Sequence, residues 1–470
     1  MRGAKAERLA VAVAAGHPQT AAAGAKILAE GGSAADAAVA ASLASCVTET
    51  VMTGLLGGGH AIYYDAESGA ARNLDCFVAV PGLGAEPRTA ELVHLEVPFG
   101  TELVHYSVGP ASCGVPGLPA GLGALWKAHG RLPWPRLVRP ALELARTGTE
   151  FPPAHAACLA MLAPVMTMNE GARIYSPGGS LLEAGGVLRQ PGLAKAFELL
   201  ADQGPASAYT GTIGRALLTL SDERGGLLTD ADLASYEATW SEPVAVDYLG
   251  RRALTRSGIS GLPETLVRFP RLRGLAPVDR ALRLVEALAS DDGDDVGDTT
   301  NLVAIDAEGS ACVLTSSLGL GSGDFLPGLD LHLNSMLGEA DLVRGPLVPG
   351  DRMASMMAPT LVLDADGLEL AAGAAGGTRL RSALLQSIAG VLDEGLPPQD
   401  AVARPRLHPA ATLVHLEPGF EPEVAPALES AGHATRTWPA FHHYFGGVSL
   451  LARSGGAGDP RRNGAVRGIE

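Results

Sequence analysis

Cysteine and lysine are both scarce in this sequence. The 470 residues include five cysteines, none of them in a Cys-x-x-Cys pair: Cys46, Cys76, Cys113, Cys158 and Cys312. An odd number of scattered cysteines argues against a disulfide framework or a zinc site, so we expect buried free thiols. Only four of the 35 basic residues are lysine, and the formal net charge is −16. An acidic chain without basic clusters disfavours nucleic acid or an anionic membrane as a partner.

Aromatic residues and long apolar runs are also few. Aromatic side chains make up 4% of the sequence, whereas hydrophobic residues make up 47% and glycine accounts for 60 positions. Small side chains of this kind favour close packing of helices and sheets in a globular core. No stretch is long and apolar enough to span a bilayer, and the N-terminal stretch lacks a signal-peptide core. We therefore expect a cytoplasmic enzyme, with one large domain or two to three smaller ones.

The order of helix and turn signals predicts an α+β protein. Capping residues and apolar periodicity predict helices at 18–31, from Ser33 onwards and at SALLQSIAGVLDEG. Hairpins are predicted after the GLLGGG cluster and around Glu308-Gly309. Strands and helices do not alternate, so helices layered on antiparallel sheets are favoured over a βαβ array. The Gly- and Arg-rich residues 453–470 are predicted to be frayed.

An acidic run ends directly on a pair of threonines. Residues 291–298 read DDGDDVGD, and Thr299 and Thr300 then open a segment with strand character. Taken alone, such a pair is usually the start of a strand, because threonine favours β structure. The acidic run alone is an ordinary loop. The motifs in the rest of the chain favour a second interpretation, in which Thr299 is a nucleophile.

Several stretches together resemble the γ-glutamyltranspeptidases, which are N-terminal-nucleophile hydrolases. The matching stretches are AVAAGHPQTAAAGAKILAEGGSAADAAVAASLA, GLLGGG, GVPGLPAGLGALWKAHGRLPW, GGLLTDADLASY, DTTNLVAIDAEGSACVLTSSLGLGSG, LNSM, APTLV, AAGGTR and ARPRLH. They follow the family's order and cover nearly the whole chain, except residues 255–297, where this chain is shorter than its relatives. The resemblance implies a four-layer αββα sandwich that needs no cofactor and no metal.

The resemblance also implies that the chain cuts itself. Family members are made as inactive precursors and are cleaved before the first threonine of the pair. The scissile bond would be Asp298–Thr299, giving a large portion 1–298 and a small portion 299–470 that share one core as a heterodimer. An N-terminal threonine can use its own α-amine as the base, since that amine has a pKa of roughly 7.7–8.0.

Three further residues match the family's catalytic positions. Gly376 and Gly377 match the consecutive backbone N–H groups that stabilise the acyl oxyanion, although a glycine pair alone is usually a turn. Ser317 matches the second hydroxyl that orients the nucleophile, and is serine where threonine is usual. A backbone donor in such an oxyanion hole lowers the activation free energy by about 2.7–4 kcal/mol.

Other polar and glycine-rich positions have ordinary explanations. The glycines at 57–59 precede no Gly-Lys-Ser/Thr sequence, so they favour a tight wall of the site over a phosphate loop. His17, His60 and His408 lack metal-ligand spacing and are interpreted as polar or core histidines. Asp36 is expected to cap its helix or bond locally.

The positions that bind substrate in the family differ here. The matching residues are Phe77 in place of an arginine, Met336 in a polar position, Glu339 at or near an acidic position, Ser355 and Met356 in place of a serine pair, and Asn301 in place of a histidine. A cation that could pair with a carboxylate is lost, and two polar contacts become thioethers. An unpaired carboxylate is costly to bury, so we expect a more apolar acyl pocket. Arg72 or Arg379 is an alternative source of the cation.

Three functions therefore remain open. The first is an acyl hydrolase or transferase with shifted specificity, including an amide or C–C hydrolase of a natural-product pathway. It would act on a small-molecule acyl donor, with water or an amine as acceptor. The second is a genuine γ-glutamyl transpeptidase or glutathione hydrolase, and the third is a catalytically silent homologue that acts as a binding protein.

Overall fold

The computed structural model describes residues 9–86, 91–99, 102–289, 299–410 and 413–469. The α-helices are α1 (Pro18–Ala29), α2 (Ala34–Thr48), α3 (Leu118–His129), α4 (Trp134–Thr147), α5 (Pro153–Met166), α6 (Gly171–Tyr175), α7 (Pro191–Gln203), α8 (Thr212–Arg224), α9 (Asp230–Ser235), α10 (Leu262–Arg268), α11 (Pro277–Leu288), α12 (Leu380–Leu392), α13 (Pro398–Ala403) and α14 (Val424–Ser430). None of the described helices has the length and apolar character needed to cross a membrane.

The strands fall into two large sheets and four small ones. They are β1 (Ala12–Ala15), β2 (Gly58–Asp65), β3 (Ala70–Cys76), β4 (Val93–Phe99), β5 (Glu102–Val108), β6 (Thr149–Glu150), β7 (Val187–Leu188), β8 (Thr239–Ser241), β9 (Val244–Tyr248), β10 (Arg251–Thr255), β11 (Thr300–Ile305), β12 (Ala311–Ser317), β13 (Phe325–Leu326), β14 (Leu331–His332), β15 (Thr360–Asp364), β16 (Gly367–Ala375), β17 (Leu407–Ala410), β18 (Leu413–Leu416), β19 (Ala434–Thr437), β20 (Gly447–Ala452), β21 (Gly455–Gly458) and β22 (Ala465–Gly468).

Both large sheets are antiparallel and draw strands from both sides of Thr299. Sheet 1 has seven strands in the order β22-β1-β11-β12-β2-β3-β8, and sheet 2 has six in the order β21-β20-β16-β15-β10-β9. The predicted hairpins are confirmed, with β2 pairing with β3 and β11 pairing with β12. The mixed helical and antiparallel architecture confirms the α+β class.

Three groups of buried apolar side chains connect these elements. One joins sheet 1 to helices α1–α4, and a second joins sheet 2 to α10–α12. The third lies between the sheets, where Val303 and Val313 of sheet 1 pack with Leu361 and Ala371 of sheet 2. Full burial of such a valine or leucine contributes about 1.5–3 kcal/mol. Sheet 1 therefore has one face toward helices and one toward sheet 2.

Helix α2 illustrates how local sequence signals produce this packing. The Ser33 hydroxyl accepts from the Asp36 N–H at 3.0 Å, and the Asp36 carboxylate accepts from the Ser33 N–H at 3.0 Å. This reciprocal cap starts the helix. All 15 helical residues are buried, which their small side chains permit. The predicted local role of Asp36 is confirmed, and the five cysteines are buried and form no disulfide in the described part of the chain, as expected.

The prediction of a frayed C-terminal segment is wrong. Residues 455–468 form β21 and β22, which belong to sheet 2 and sheet 1. The buried carboxylate of Asp459 accepts from Arg406 at 2.6 Å and from the Val448 N–H at 3.0 Å. Burial opposes ionisation of Asp459, but Arg406 and Arg461 outweigh it and lower the pKa of this carboxyl. A buried ion network thus orders a segment whose composition suggests a tail.

The buried side chain of His332 should make the folded protein less stable in acid. The imidazole of His332 stacks on Phe325 with centroids 4.1 Å apart, and its Nε2 accepts from the Gly323 N–H at 3.0 Å. Burial lowers the pKa of His332 to about 3. In an unfolded chain histidine has a pKa of about 6.5, so below that pH only the unfolded state gains the proton. The stability that neutral His332 contributes is therefore present above pH 6.5 and is lost as pH falls toward 3.

We expect His332→Gln to reduce this loss. Glutamine can accept the same hydrogen bond but does not titrate. Between pH 7.5 and pH 5 the free energy of unfolding should fall by about 2 kcal/mol less in the variant than in the unmodified protein. Urea denaturation at the two pH values measures this difference. The control is His105→Gln, which replaces an exposed histidine on β5. Equal losses of unfolding free energy in His332→Gln and in the unmodified protein would contradict the prediction.

Candidate active site

A pocket of about 390 Å³ opens beside Thr299. The lining residues are Phe77, Thr299, Ser317, Met336, Glu339, Asp341, Leu342, Ser355, Met356, Met357, Gly377 and Leu380. Eight of these twelve are residues that the sequence predicted for catalysis or substrate binding. They come from six separate stretches of the chain, and the fold brings them to one place.

The pairing of β11 with β12 positions Thr299 and Ser317. Thr300 pairs with Ser316 in the antiparallel register, and one step further places Thr299 opposite Ser317. Side chains directly opposite on neighbouring strands have Cβ atoms about 4.5–5.5 Å apart. The Ser317 hydroxyl also accepts from the Gly319 N–H at 2.9 Å. This geometry suits a hydroxyl that orients the Thr299 hydroxyl.

The glycine pair lies where β16 turns into α12. Gly376 and Gly377 have φ values of 128° and 55°, which glycine adopts readily. A Cβ on Gly376 would lie 2.8 Å from the Gly446 Cα, so the turn also needs glycine for space. Gly377 and Leu380 both line the pocket, so the N-terminal end of α12 faces it. The positive end of this helix dipole favours negative charge that develops there.

Apolar side chains make up most of the remaining lining. Phe77 follows β3, and its backbone is held by Asp75, which accepts from its N–H at 2.9 Å, and by Tyr236, which donates to its carbonyl at 2.5 Å. Arg256 donates to the carbonyls of Ser355 and Met357 at 3.2 and 3.0 Å, which fixes the loop that carries Met356 and Met357. The Arg256 guanidinium therefore stabilises the backbone of this part of the pocket wall.

The charged residues that line the pocket are both acidic. They are Glu339, which is 9% exposed, and Asp341. Among the described lining residues no lysine, arginine or histidine is present. The pocket therefore combines apolar walls with negative charge.

Three predicted residues, Asn301, Gly376 and Asp298, are not among the lining residues. Asn301 is buried between the sheets, where its side chain donates to the Gly447 carbonyl at 2.9 Å and accepts from the Ser449 N–H at 2.9 Å. It therefore joins β11 to β20, and the structure gives it a place in the core instead of the predicted contact with substrate. Gly376 adjoins the lining through Gly377. Asp298, the other half of the predicted scissile bond, lies outside the described residues.

Neither alternative cation lines the pocket. The guanidinium of Arg72 lies over the Trp240 ring at 5.2 Å. Arg379 is fully buried, donates to the Tyr444 carbonyl at 3.0 Å and lies over the Tyr444 ring. Neither arginine therefore adds a positive charge to the pocket lining.

The histidines and the glycine cluster have structural contacts. His17 caps α1 by accepting from the Gln19 N–H, His408 bonds to Ser382, and His60 stacks on Phe77. Burial lowers the pKa of His17 to about 4. A Cβ on Gly57 would lie 2.1 Å from the Ser317 carbonyl oxygen, so the glycines at 57–59 allow β2 to lie tightly against β12.

Two buried charged residues next to the threonine pair were missed from the sequence. Arg462, only 4% exposed, donates to the Thr299 carbonyl at 3.0 Å. Glu49, only 2% exposed, accepts from the Thr300 hydroxyl at 2.5 Å. The sequence does single out Glu49, because it is the only charged residue between Asp36 and His60. Arg462 gave no such signal within an Arg-rich C-terminal segment.

The chain is similar in sequence to two proenzymes. The chain is 28% identical to the acylase ACY 1 proenzyme of Pseudomonas sp. (strain SE83), over 93% of this chain and 88% of that protein. It is 25% identical to the glutathione hydrolase proenzyme of Bacillus subtilis (strain 168), over 97% of this chain and 91% of that protein.

The fold and the family are shown by two further comparisons. The structure superposes on the crystal structure of cephalosporin acylase from Bacillus halodurans with a TM-score of 0.83 and 24% identity, covering 98% of this chain and 96% of that one. The family model for γ-glutamyltranspeptidase matches residues 20–265 and 278–469. The chain therefore belongs to the γ-glutamyltranspeptidase family.

Proposed function

We propose that this protein is a self-processing acylase whose N-terminal threonine acts on amides of apolar acyl groups. The observation that supports this most directly is the pocket itself, in which Thr299, Ser317 and Gly377 lie among apolar side chains. Self-cleavage before Thr299 would create the free α-amine that the mechanism needs. The names of two similar proteins, an acylase proenzyme and a glutathione hydrolase proenzyme, fit both a precursor and a variable acyl specificity.

The proposed reaction proceeds in two steps. The Thr299 hydroxyl attacks the amide carbonyl, and its proton passes to the Thr299 α-amine. Ser317 orients that hydroxyl, while the N–H groups of Gly376 and Gly377 and the α12 dipole stabilise the oxyanion. The C–N bond breaks, the departing amine takes the proton, and an ester on Thr299 remains. Water or an acceptor amine then attacks this ester and releases the acyl group.

The pocket lining supports an apolar acyl group. A carboxylate on the acyl chain would meet Phe77 and three methionines, with Glu339 and Asp341 nearby. Burying it without a cation is costly, and the like charges repel it. Glutathione and other γ-glutamyl donors, which carry such a carboxylate, should therefore be poor substrates.

A γ-glutamyl hydrolase or transpeptidase is the second candidate. The acidic pair favours it in one respect, because a carboxylate such as that of Glu339 attracts the ammonium group of a γ-glutamyl chain. A C–C hydrolase would use the same oxyanion chemistry. A silent binding protein would not need the combination of Thr299, Ser317 and Gly377 in one pocket.

The proposal includes the fate of the two fragments. Portions 1–298 and 299–470 should stay together as one heterodimer, in a four-layer αββα sandwich. The interleaved sheets support this, since β11 and β12 lie between β1 and β2 in sheet 1. The apolar groups on both sides of sheet 1 likewise combine residues of both portions.

Self-cleavage is testable by intact mass spectrometry. We expect the purified protein to give fragments of 298 and 172 residues, since 470 − 298 = 172. Thr299→Ala should remain a single chain because it has no hydroxyl to attack the preceding carbonyl. Thr299→Ser should still be cut, and Thr219→Ala, on an exposed helix face, is the control. An uncut native chain would favour the binding-protein alternative.

Acyl specificity is testable with two anilides. Butyryl-p-nitroanilide should give a kcat/KM at least about tenfold above that of γ-glutamyl-p-nitroanilide, because an unpaired buried charge costs 1.4 kcal/mol or more. Met356→Ser should reduce this ratio by making the pocket more polar.

The matched control for this ratio is Met161→Ser, on a helix outside the pocket lining. It should leave the ratio unchanged. Equal or preferred turnover of the γ-glutamyl anilide by the unmodified protein would contradict the proposed specificity and support the second candidate.

A further inference from the structure

A buried carboxylate lies directly behind the threonine pair. Glu49 follows the last turn of α2 and is 2% exposed. Its Oε2 accepts from the Thr300 hydroxyl at 2.5 Å, and its Oε1 accepts from the Thr20 hydroxyl at 2.7 Å. A Cβ on Gly16 would lie 2.4 Å from Oε2, so the neighbouring backbone leaves just enough space for the carboxylate. The site is thus built around this group.

The described part of the structure shows no ion pair at this carboxylate. Within the described part of the chain, no lysine, arginine or histidine nitrogen lies within 4.0 Å of Glu49. Burial raises the pKa of Glu49, while the hydroxyls of Thr300 and Thr20 and the charge of Arg462 oppose that rise. A fully buried carboxyl group that is held only by hydroxyls stabilises the fold less than an apolar side chain would, because an apolar side chain has no desolvation cost.

Glu49 lies on the helical side of the strand that begins directly after Thr299. Successive side chains of a strand point to opposite faces, so Thr299 faces the pocket while Thr300 faces the helices. Glu49 contacts the hydroxyl of Thr300 from the helical side, and Arg462 donates to the carbonyl of Thr299 at 3.0 Å. Together these two charged groups hold the first two residues that would follow the cut.

We propose that Glu49 is a positioning residue that holds the new N-terminus in register through the hydroxyl of Thr300. The inference rests on the proposed cleavage before Thr299. Once that bond is broken, Thr299 is no longer tethered by the preceding chain, and β11 begins at Thr300. The Thr300 side chain, together with the Arg462 bond to the Thr299 carbonyl, then keeps the Thr299 hydroxyl and α-amine in line with Ser317. A small displacement of a nucleophile costs much of its rate.

The charge of Glu49 also acts on the α-amine of Thr299. A nearby negative charge favours the ammonium form and raises its pKa, whereas a nearby positive charge lowers it. The charged groups around Thr299 are Glu49 and Arg462 behind it, Arg379 beside the glycine turn, and Glu339 and Asp341 across the pocket. His155 and His443 also lie near Arg462, and burial lowers the pKa of both, so they stay neutral near pH 7.

Three variants of the mature enzyme test this role with butyryl-p-nitroanilide. Thr300→Val keeps the shape but loses the bond, so kcat should fall at least about tenfold with KM changed less than about twofold. Thr300→Ser keeps the hydroxyl and should retain most of the activity. Glu49→Gln should shift the acid limb of the kcat/KM profile to lower pH by about half a unit, because the α-amine loses its negative neighbour.

The controls separate this inference from the proposed function. Glu286→Gln, on an exposed helix face, should leave the pH profile unchanged. An unchanged kcat in Thr300→Val, or an unshifted profile in Glu49→Gln, would overturn the role of Glu49. If the native chain is cut but turns over no acyl donor, the acylase proposal fails. The inference would still be decided by the pH dependence of isothiocyanate labelling of the Thr299 α-amine. Glu49→Gln should shift this labelling profile to lower pH. A labelling profile that Glu49→Gln leaves unchanged would contradict the inference.

Discussion

The antiparallel ladder between β11 and β12 is the constraint on which the rest of the site depends. β11 lies between β1 and β12 in sheet 1, so neighbours on both sides fix its register. That register places Ser317 opposite Thr299 and, through the alternation of side chains, directs Thr300 toward the helices. A slip of one residue would exchange the two faces and turn the Thr299 hydroxyl toward Glu49. The many small residues of sheet 1 and α2 serve this purpose, because they allow the close packing that holds the ladder.

The two sides of the threonine pair differ in chemistry, and both follow from burial. On the helical side, hydroxyls and a carboxylate form a closed hydrogen-bonded group in which Glu49 has no ion pair among the described residues. On the pocket side, thioethers and an aromatic ring leave space for a ligand, and the amino end of α12 offers positive potential. Electrostatic effects are strong in such a weakly polarisable interior. The same burial that makes a carboxylate costly therefore also makes its charge effective at Thr299.

The sequence predicted the parts of the site that local motifs carry. Thr299, Ser317 and Gly377 lie within short stretches whose order alone identifies them, and the structure brings all three to one pocket. Their catalytic roles remain predictions. Asn301 could not be placed from its position beside the threonines, because its partners lie on β20, almost 150 residues away. Arg462 was missed for a related reason: composition suggests a tail, whereas buried ion pairs formed over long range give the segment its structure.

Acyl specificity depends on fewer residues than the fold does. The sheets and helices that position Thr299 belong to a family in which similar proteins are named an acylase and a glutathione hydrolase, so overall similarity cannot decide the substrate. What decides it is whether a charged group on the acyl chain finds a partner when water is excluded. Here the position that could hold an arginine is Phe77, and the charged lining residues, Glu339 and Asp341, are acidic. An anionic acyl chain would lose its hydration without gaining an ion pair, whereas an apolar chain loses nothing by entering. The lining of the pocket thus supports the proposal that γ-glutamyl donors are poor substrates.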